Sequence, residues 1–349
     1  MNTLLLKVNP ANPEIDIIRT AADIIRRGGL VAFPTETVYG LGADALNPEA
    51  VKRIYEAKGR PLDNPIIVHV SSREMLEQVA ADIPALAWRL ISKFWPGPLT
   101  LVLRRSQNLP EVTVAGLDTV AVRMPRHKVA LMLIEESGRP IAAPSANLSG
   151  SPSPTRAEHV VKDLYGRVDA IIDGGETEIG LESTVLSLVD DVPTMLRPGG
   201  VTLEQLRSEI GEVRLHPAVL AEEELERIIA RSPGMKYRHY APKAELIIVH
   251  GNPVRVKKKT RELIEEYSEM GRRVGVLYLG RTGYGLRDEI SLGDADDLRT
   301  VARNLFASIR ELDARGVDVI ITEGVEERGL GLAIMNRLKK ASGGRIIRV

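Results

Sequence analysis

The sequence predicts a two-domain α/β protein, and three observations carry that expectation. Short apolar runs alternate with stretches of helical periodicity along most of the chain. The alternation stops over residues 214–243 and then restarts as a regular strand–helix rhythm. At 349 residues the chain is long enough for each part to bury a core of its own.

Taken in order, Ile17, Ile18, Ala21, Ile24 and Ile25 recur on one face of a first helix, and Gly28 is placed to end it. LVAFP (30–34) reads as a buried strand. A second helix over 48–58 points Val51, Ile54 and Tyr55 inward and carries Pro48 in its first turn. IIVHV (66–70) is a strand, 84–94 a helix, and strand-like runs follow at 99–103, 119–124, 140–145, 170–173 and 183–189. Thr202 and Gln205 form a capping box that opens a short helix. This makes a mixed α/β domain over 1–213, with 214–243 as a linker. From 244 to 349 the pattern is strand, helix, strand, helix, strand, helix, strand, the signature of a smaller doubly wound, mostly parallel sheet.

Composition excludes several classes. Forty-seven acidic and forty-seven basic residues cancel, so no net field draws the chain to nucleic acid or to a membrane. The absence of cysteine removes disulfides, thiolate metal sites and a cysteine nucleophile. MNTLLLKVNP is too briefly apolar for a signal-peptide core, and no run approaches the ~20 apolar residues of a membrane helix. A cytoplasmic location with no membrane partner is the expectation. There is no G-x-x-x-x-G-K-[ST], no H-E-x-x-H and no histidine cluster at metal-ligand spacing. The glycine pairs at 40/42 and 329/331 lack the third glycine of a dinucleotide fingerprint, so turn and packing roles are expected for them.

Several polar groups stand out against apolar surroundings. FPTETVYGLGADA (33–45) leaves a strand through a proline and offers Thr35, Glu36, Thr37 and Tyr39, either as a polar turn or as a site. Lys58 and Arg60 flank Gly59 at a helix end, where they suit phosphate oxygens or the helix dipole equally. His69 sits mid-strand, the usual place of a satisfied core histidine. Arg123 ends an apolar strand and needs an anionic partner, an internal carboxylate or a ligand's. PIAAPSANLSGSPSPT (140–155) is crowded with hydroxyls and exposed amides suited to phosphate. LESTV (181–185) and MLRPGG (195–200) add Ser183 and Arg197. Together these groups describe a pocket for a polyphosphate and a small carboxylate, in which one substrate attacks another. SPGMKYRHYAP (232–242) sits in the linker yet holds cationic, aromatic and imidazole groups that a passive spacer does not need.

The motifs Lys58-Gly-Arg60 with Ser145-Ala-Asn147, FPTETVYGLG, WPGPLT, APSANLSG, ESTV and LRPGG resemble, in order, those of the threonylcarbamoyl-AMP synthases, the YrdC-like family. SPGMKYRHYAP and GLGLAIMNRLKKAS resemble the longer two-domain form. The resemblance implies a YrdC-like twisted mixed sheet with a concave site, followed by a Rossmann-like domain. It implies synthesis of L-threonylcarbamoyl-AMP from L-threonine, bicarbonate and ATP, with pyrophosphate released and the product handed to tRNA threonylcarbamoyl-transfer machinery. Carried over residue by residue, it puts Lys58, Arg60, Asn64, Thr119, Ser145, Asn147, Ser153 and Arg197 on ATP, with Lys58 and Arg60 as the catalytic pair. It puts Thr37, His69, Arg123, Ala143 and Ser183 on threonine. Mg2+ is expected on the phosphates rather than on protein side chains. The linker is expected to act as a lid with Tyr237 on the nucleotide. Two other readings stay open from the residues alone: an RNA-binding module, and an adenylating or carbamoylating enzyme for another substrate.

Overall fold

The computed structural model describes residues 2–220 and 240–349, and the chain folds as two compact units. Among the described residues, the first holds 2–149 and 153–220, and the second holds 150–152 and 240–349. No described helix is long and apolar enough to cross a membrane.

The first unit is built on one mixed sheet. Its strands lie in the spatial order Leu4–Lys7, Ala170–Asp173, Val31–Phe33, Gly40–Asp44, Ile141–Ala142, Val68–His69, Thr119–Arg123, Leu99–Arg105, Thr184–Ser187, Thr194–Arg197 and Arg214–Leu215. Strand residues two apart share a face, and that rule sorts this sheet. Val68, Leu101, Leu103, Val120, Val122 and Leu186 all enter the main apolar core. Their alternates Ile67, Val102, Ala121 and Val185 form a separate small cluster with Leu196 and Ala218 on the opposite face. The second face therefore receives every polar residue in phase with that cluster.

The helices follow their sequence signals. Ile15–Arg26 buries Ile18, Ala21, Ala22 and Ile25, one turn apart, and packs against Lys128–Ser137. Pro48–Lys58 starts where the Asn47 side chain accepts from the Glu49 and Ala50 amides, and ends where Gly59 turns left-handed at φ 61°. The glycine inside Lys58-Gly59-Arg60 is thus a helix stop, and it aims the two cations out of the same turn. The capping box of Thr202 and Gln205 is formed in both directions.

The second unit is a five-stranded, all-parallel sheet in the order Glu289–Gly293, Val274–Leu279, Val319–Glu323, Glu245–His250, Ile346–Arg348. Pro253–Glu269, Leu298–Ala314 and Leu330–Ser342 supply its crossover helices. Arg337 is fully buried in the last of these and places its guanidinium 5.6 Å from the Tyr240 ring, which stacks on Phe306 at 5.2 Å.

Two features differ from the sequence reading. Gly40-Leu41-Gly42 is a buried strand rather than a turn; a Cβ on Gly42 would lie 2.8 Å from both the Phe33 ring and the Ile141 side chain, so its packing role stands. Gly331 likewise opens a helix where its neighbour's carbonyl leaves no room: a Cβ there would sit 2.0 Å from the Glu326 oxygen. The strand Glu289–Gly293 is absent from the sequence pattern, because this edge strand is mostly half-buried and lacks a clear apolar alternation.

LRPGG is locked against ESTV by the same kind of close approach. A Cβ on Gly199 would lie 2.3 Å from the Thr184 amide nitrogen and 2.4 Å from the Glu182 carbonyl oxygen, both backbone atoms that cannot swing aside. Gly199→Ala is expected to destabilise the protein by about 1–3 kcal/mol, the cost of overpacking a rigid site. A urea midpoint unchanged from the parent protein would contradict this contact.

Candidate active site

Strand register gathers the predicted residues on the face opposite the main core. His69 is the direct ladder partner of Arg123, and both are in phase with Ile67 and Ala121. Leu101 opposite Val122 brings Thr100 level with Arg123, and Thr100 Oγ1 lies 2.7 Å from Ser183 Oγ. Arg197 is the ladder partner of Val185 across a bulge. Such a bulge re-aims the side chains of its strand. Arg197 donates from Nε to the Ser183 carbonyl at 3.0 Å and from Nη2 to its hydroxyl at 3.2 Å. Ala143 joins the group through its amide, which donates to the Ile67 carbonyl. Thr37, His69, Arg123, Ala143 and Ser183 are all buried, so the cluster is an enclosed one.

Arg123 is the charge at its centre. Its Nη1 donates to Thr37 Oγ1 at 2.9 Å, its Nε to the Gly97 carbonyl at 3.2 Å, and its Nη2 lies 2.5 Å from Glu36 Oε2. The guanidinium side chain is 4% exposed and the carboxylate side chain 1%, so neither relies on water. The Glu36 contact is charge against charge without hydrogen-bond alignment, and both carboxylate oxygens and Arg123 Nη2 lack a hydrogen-bond partner. Leaving such groups unmet costs about 1–3 kcal/mol each. The sequence left two partners open for Arg123, and the internal one exists. Glu36 is thus an internal anionic partner for buried Arg123. Glu36 is one of the polar groups that the 33–45 motif offers, but nothing local marks it as the partner of Arg123. The only signal for it was an acidic residue between two threonines just past a strand end.

Burial drives the His69 pKa down to about 3, and the neighbouring Arg123 charge pushes in the same direction. His69 is thus a neutral imidazole at physiological pH, and its Nδ1 has no hydrogen-bond partner. His127, which feels both Glu36 and Arg123, is also lowered, chiefly by burial.

The cationic side of the site is built around the loop 145–155. Lys58 is 2% exposed, and its Nζ donates to the carbonyls of Ser145 and Asn147, both at 2.5 Å. The Ser149 amide in turn donates to the Lys58 carbonyl. Ser145 also bridges to Gly40, so the loop is tied at both ends of the glycine-containing strand and helix stop. Arg60 donates to the carbonyls of Asn64 and Pro65 at 3.2 and 3.0 Å. Asn64 is 1% exposed and its Oδ1 has no partner. Asn147 donates from its amide to the Leu148 carbonyl. Ser153 donates to Glu182, a second buried carboxylate that the sequence reading passed over.

Lys58 therefore holds the loop together through its ammonium group. Substitution of Lys58 by alanine leaves the Ser145 and Asn147 carbonyls without this donor, so it is expected to disturb the loop as well as the charge. Thr119 is buried at the far end of the strand from Arg123, about 13 Å away at strand rise, on the same face. Tyr237, with Lys236 and Arg238, lies outside the described residues. Among the described residues no three His, Asp or Glu side chains gather at metal-ligand spacing.

Residues 23–199 match the Sua5–YciO–YrdC family, described as "Telomere recombination", and residues 201–343 match the C-terminal domain of threonylcarbamoyl-AMP synthase. The chain belongs to the Sua5–YciO–YrdC family. Within that family it is 58% identical to the threonylcarbamoyl-AMP synthase of Pyrococcus abyssi, over 95% of this chain and 96% of the relative. It is 53% identical to the enzyme of that name from Bacillus subtilis, over 95% and 94%. The crystal structure of P. abyssi Sua5 complexed with L-threonine superposes with a TM-score of 0.95 at 56% identity, covering 99% of this chain and all of that one. The Sua5–YciO–YrdC fold expected for the first unit, with a parallel-sheet unit after it, is the fold found.

The low His69 pKa carries a pH signature. A histidine held near 3 when folded and near 6.5 when unfolded binds more protons in the unfolded chain between those values, so stability falls as pH drops through that window. His69→Asn removes this term. The plot of unfolding free energy against pH is expected to be shallower between about pH 6 and 4 in the variant. Parallel slopes for the two proteins would show that His69 is not held neutral.

Proposed function

We propose that this chain makes L-threonylcarbamoyl-AMP from L-threonine, bicarbonate and ATP and releases pyrophosphate. The observation that carries the reading is the 0.95 superposition, over nearly the whole chain, on a relative solved with L-threonine bound. The polar face described above supports it with a carboxylate-binding arginine, a neutral imidazole and a separate cationic loop.

In this reading the amine of threonine adds to bicarbonate, water leaves, and a carbamate forms. A carbamate oxygen then attacks the α-phosphorus of ATP, the bond to the bridging β-phosphate oxygen breaks, and pyrophosphate departs. Positioning and charge neutralisation do most of that work, so no protein nucleophile is required. Arg123 has N–H groups on Nη1 and Nη2 beyond its hydrogen bonds to Gly97 and Thr37, and these would take the amino-acid carboxylate. Ser183, polarised by Arg197 and Thr100, would hold a carboxylate or carbamate oxygen. Neutral His69 would serve the substrate hydroxyl through its unmet Nδ1. Thr37 and the backbone at Ala143 close the same pocket.

On the nucleotide side, Arg60, Arg197, Asn64 and Thr119 would contact ATP. Lys58 would act both on the phosphates and on the shape of the Ser145-Asn147-Ser153 loop. Magnesium brought in with ATP would be held by phosphate oxygens and water. Tyr237 in the linker would cover the nucleotide. The product suits transfer to the adenosine beside the anticodon of tRNA by a separate machinery in the cytoplasm.

The test is pyrophosphate release from ATP by the intact protein. Release is expected only when L-threonine and bicarbonate are both present, and Arg60→Ala is expected to lower it by about a hundredfold, as for loss of a charged group that stabilises the transition state. Release indifferent to threonine or to bicarbonate would overturn the assignment.

A further inference from the structure

The ion pair at the centre of the site has unmet groups of both signs. Arg123 keeps one Nη1 N–H beyond its bond to Thr37, and its Nη2, in ion-pair contact with Glu36 at 2.5 Å, makes no aligned hydrogen bond. Glu36 is 1% exposed, and its carboxylate has no hydrogen-bond partner at either oxygen. A purely structural ion pair is normally the reverse case, with every lone pair and proton satisfied inside the protein. The Glu36 segment is also held by its backbone: the Ile179 amide donates to the Glu36 carbonyl, and the Gly180 amide to that of Thr37. The segment is thus held by its backbone and the carboxylate by its ion-pair contact with Arg123, with no aligned hydrogen bond on either oxygen.

We propose that Glu36 is a substrate-binding residue that receives the ammonium group of the amino acid, so that the Arg123–Glu36 pair as a whole recognises a zwitterion. This inference rests on the threonine-binding reading of the site. The free pair is neutral overall and the ligand is neutral overall, with each charge of one opposite a charge of the other. An arginine alone binds a carboxylate whether or not an amine accompanies it. Adding a fixed carboxylate beside the arginine penalises bare carboxylic acids by repulsion and rewards those that bring a cation. Glu36 therefore selects α-amino acids over hydroxy acids of the same shape. It also places the nitrogen that must later add to bicarbonate at a defined point beside the carboxylate clamp. Charge-assisted hydrogen bonds of this kind are the stronger ones in proteins.

Calorimetric binding of two ligands to the intact protein tests this: L-threonine, and 3-hydroxybutyrate, which keeps the carboxylate and hydroxyl but lacks the ammonium. The parent protein is expected to prefer threonine. In Glu36→Gln the threonine Kd is expected to rise about tenfold to a hundredfold, the worth of one charge-assisted hydrogen bond. The 3-hydroxybutyrate Kd is expected to stay level or fall, because a repelling charge is gone. A structural role would weaken both ligands by the same factor, and an unchanged ratio overturns the proposal. If Glu36→Gln does not fold, Glu36→Asp carries the same comparison, with a narrowed ratio expected from the shorter reach and an unchanged ratio contradicting it. A parent protein that does not bind threonine at all would instead refute the threonine-binding reading itself.

Discussion

The arrangement of the first unit depends on one buried ion pair. Arg123 and Glu36 are both sealed from water, one at the end of a central strand and the other just past the end of Val31–Phe33. Removing either partner alone leaves an uncompensated buried charge, a loss of about 3–5 kcal/mol in comparable cases. The pair therefore fixes the distance between two segments that sequence places far apart. Thr37 is drawn in by Arg123, Gly97 is held by the same guanidinium, and His69 is kept neutral next to it. Replacing such a pair with apolar groups often costs little stability. Its presence here, with its hydrogen-bonding capacity unspent, fits binding better than folding.

The cationic half of the site is organised by a different economy of hydrogen bonds. Lys58 uses its ammonium to gather backbone carbonyls of the loop 145–147, while Arg60 grips the carbonyls of Asn64 and Pro65. These cations shape the loops first. A bound polyphosphate offers them better acceptors than neutral carbonyls, so nucleotide binding would exchange internal bonds for external ones. The loop could then respond to the occupancy of the site through Lys58. Glu182 on Ser153 is the acidic counterpart on the far side of the same loop.

Much of this was legible in the sequence, and the exceptions have physical causes. The helices announced themselves by periodicity and caps, as with Asn47, Pro48 and Gly59 around a single amphipathic stretch. The phase relation among Ile67, His69, Ala121 and Arg123 was readable as alternation, although only the ladder shows that His69 and Arg123 are neighbours. Of the turn and packing roles expected for Gly40-Leu41-Gly42, packing is the one found: the Phe33 ring and Ile141 leave no room for a side chain on Gly42. The roles of Glu36 and Glu182 are not legible because a carboxylate in a polar motif looks solvated until long-range packing buries it. The partner of a buried charge lies 87 residues away in one case and 29 in the other, beyond the reach of local pattern.

The central claim is that the Arg123–Glu36 pair forms the floor of an amino-acid site. A crystal structure of this protein grown with L-threonine tests it most directly. The threonine carboxylate is expected on Arg123 and near Ser183, with the threonine nitrogen within hydrogen-bond distance of a Glu36 oxygen. Threonine bound with its nitrogen turned away from Glu36, or seated away from Arg123 altogether, would contradict it.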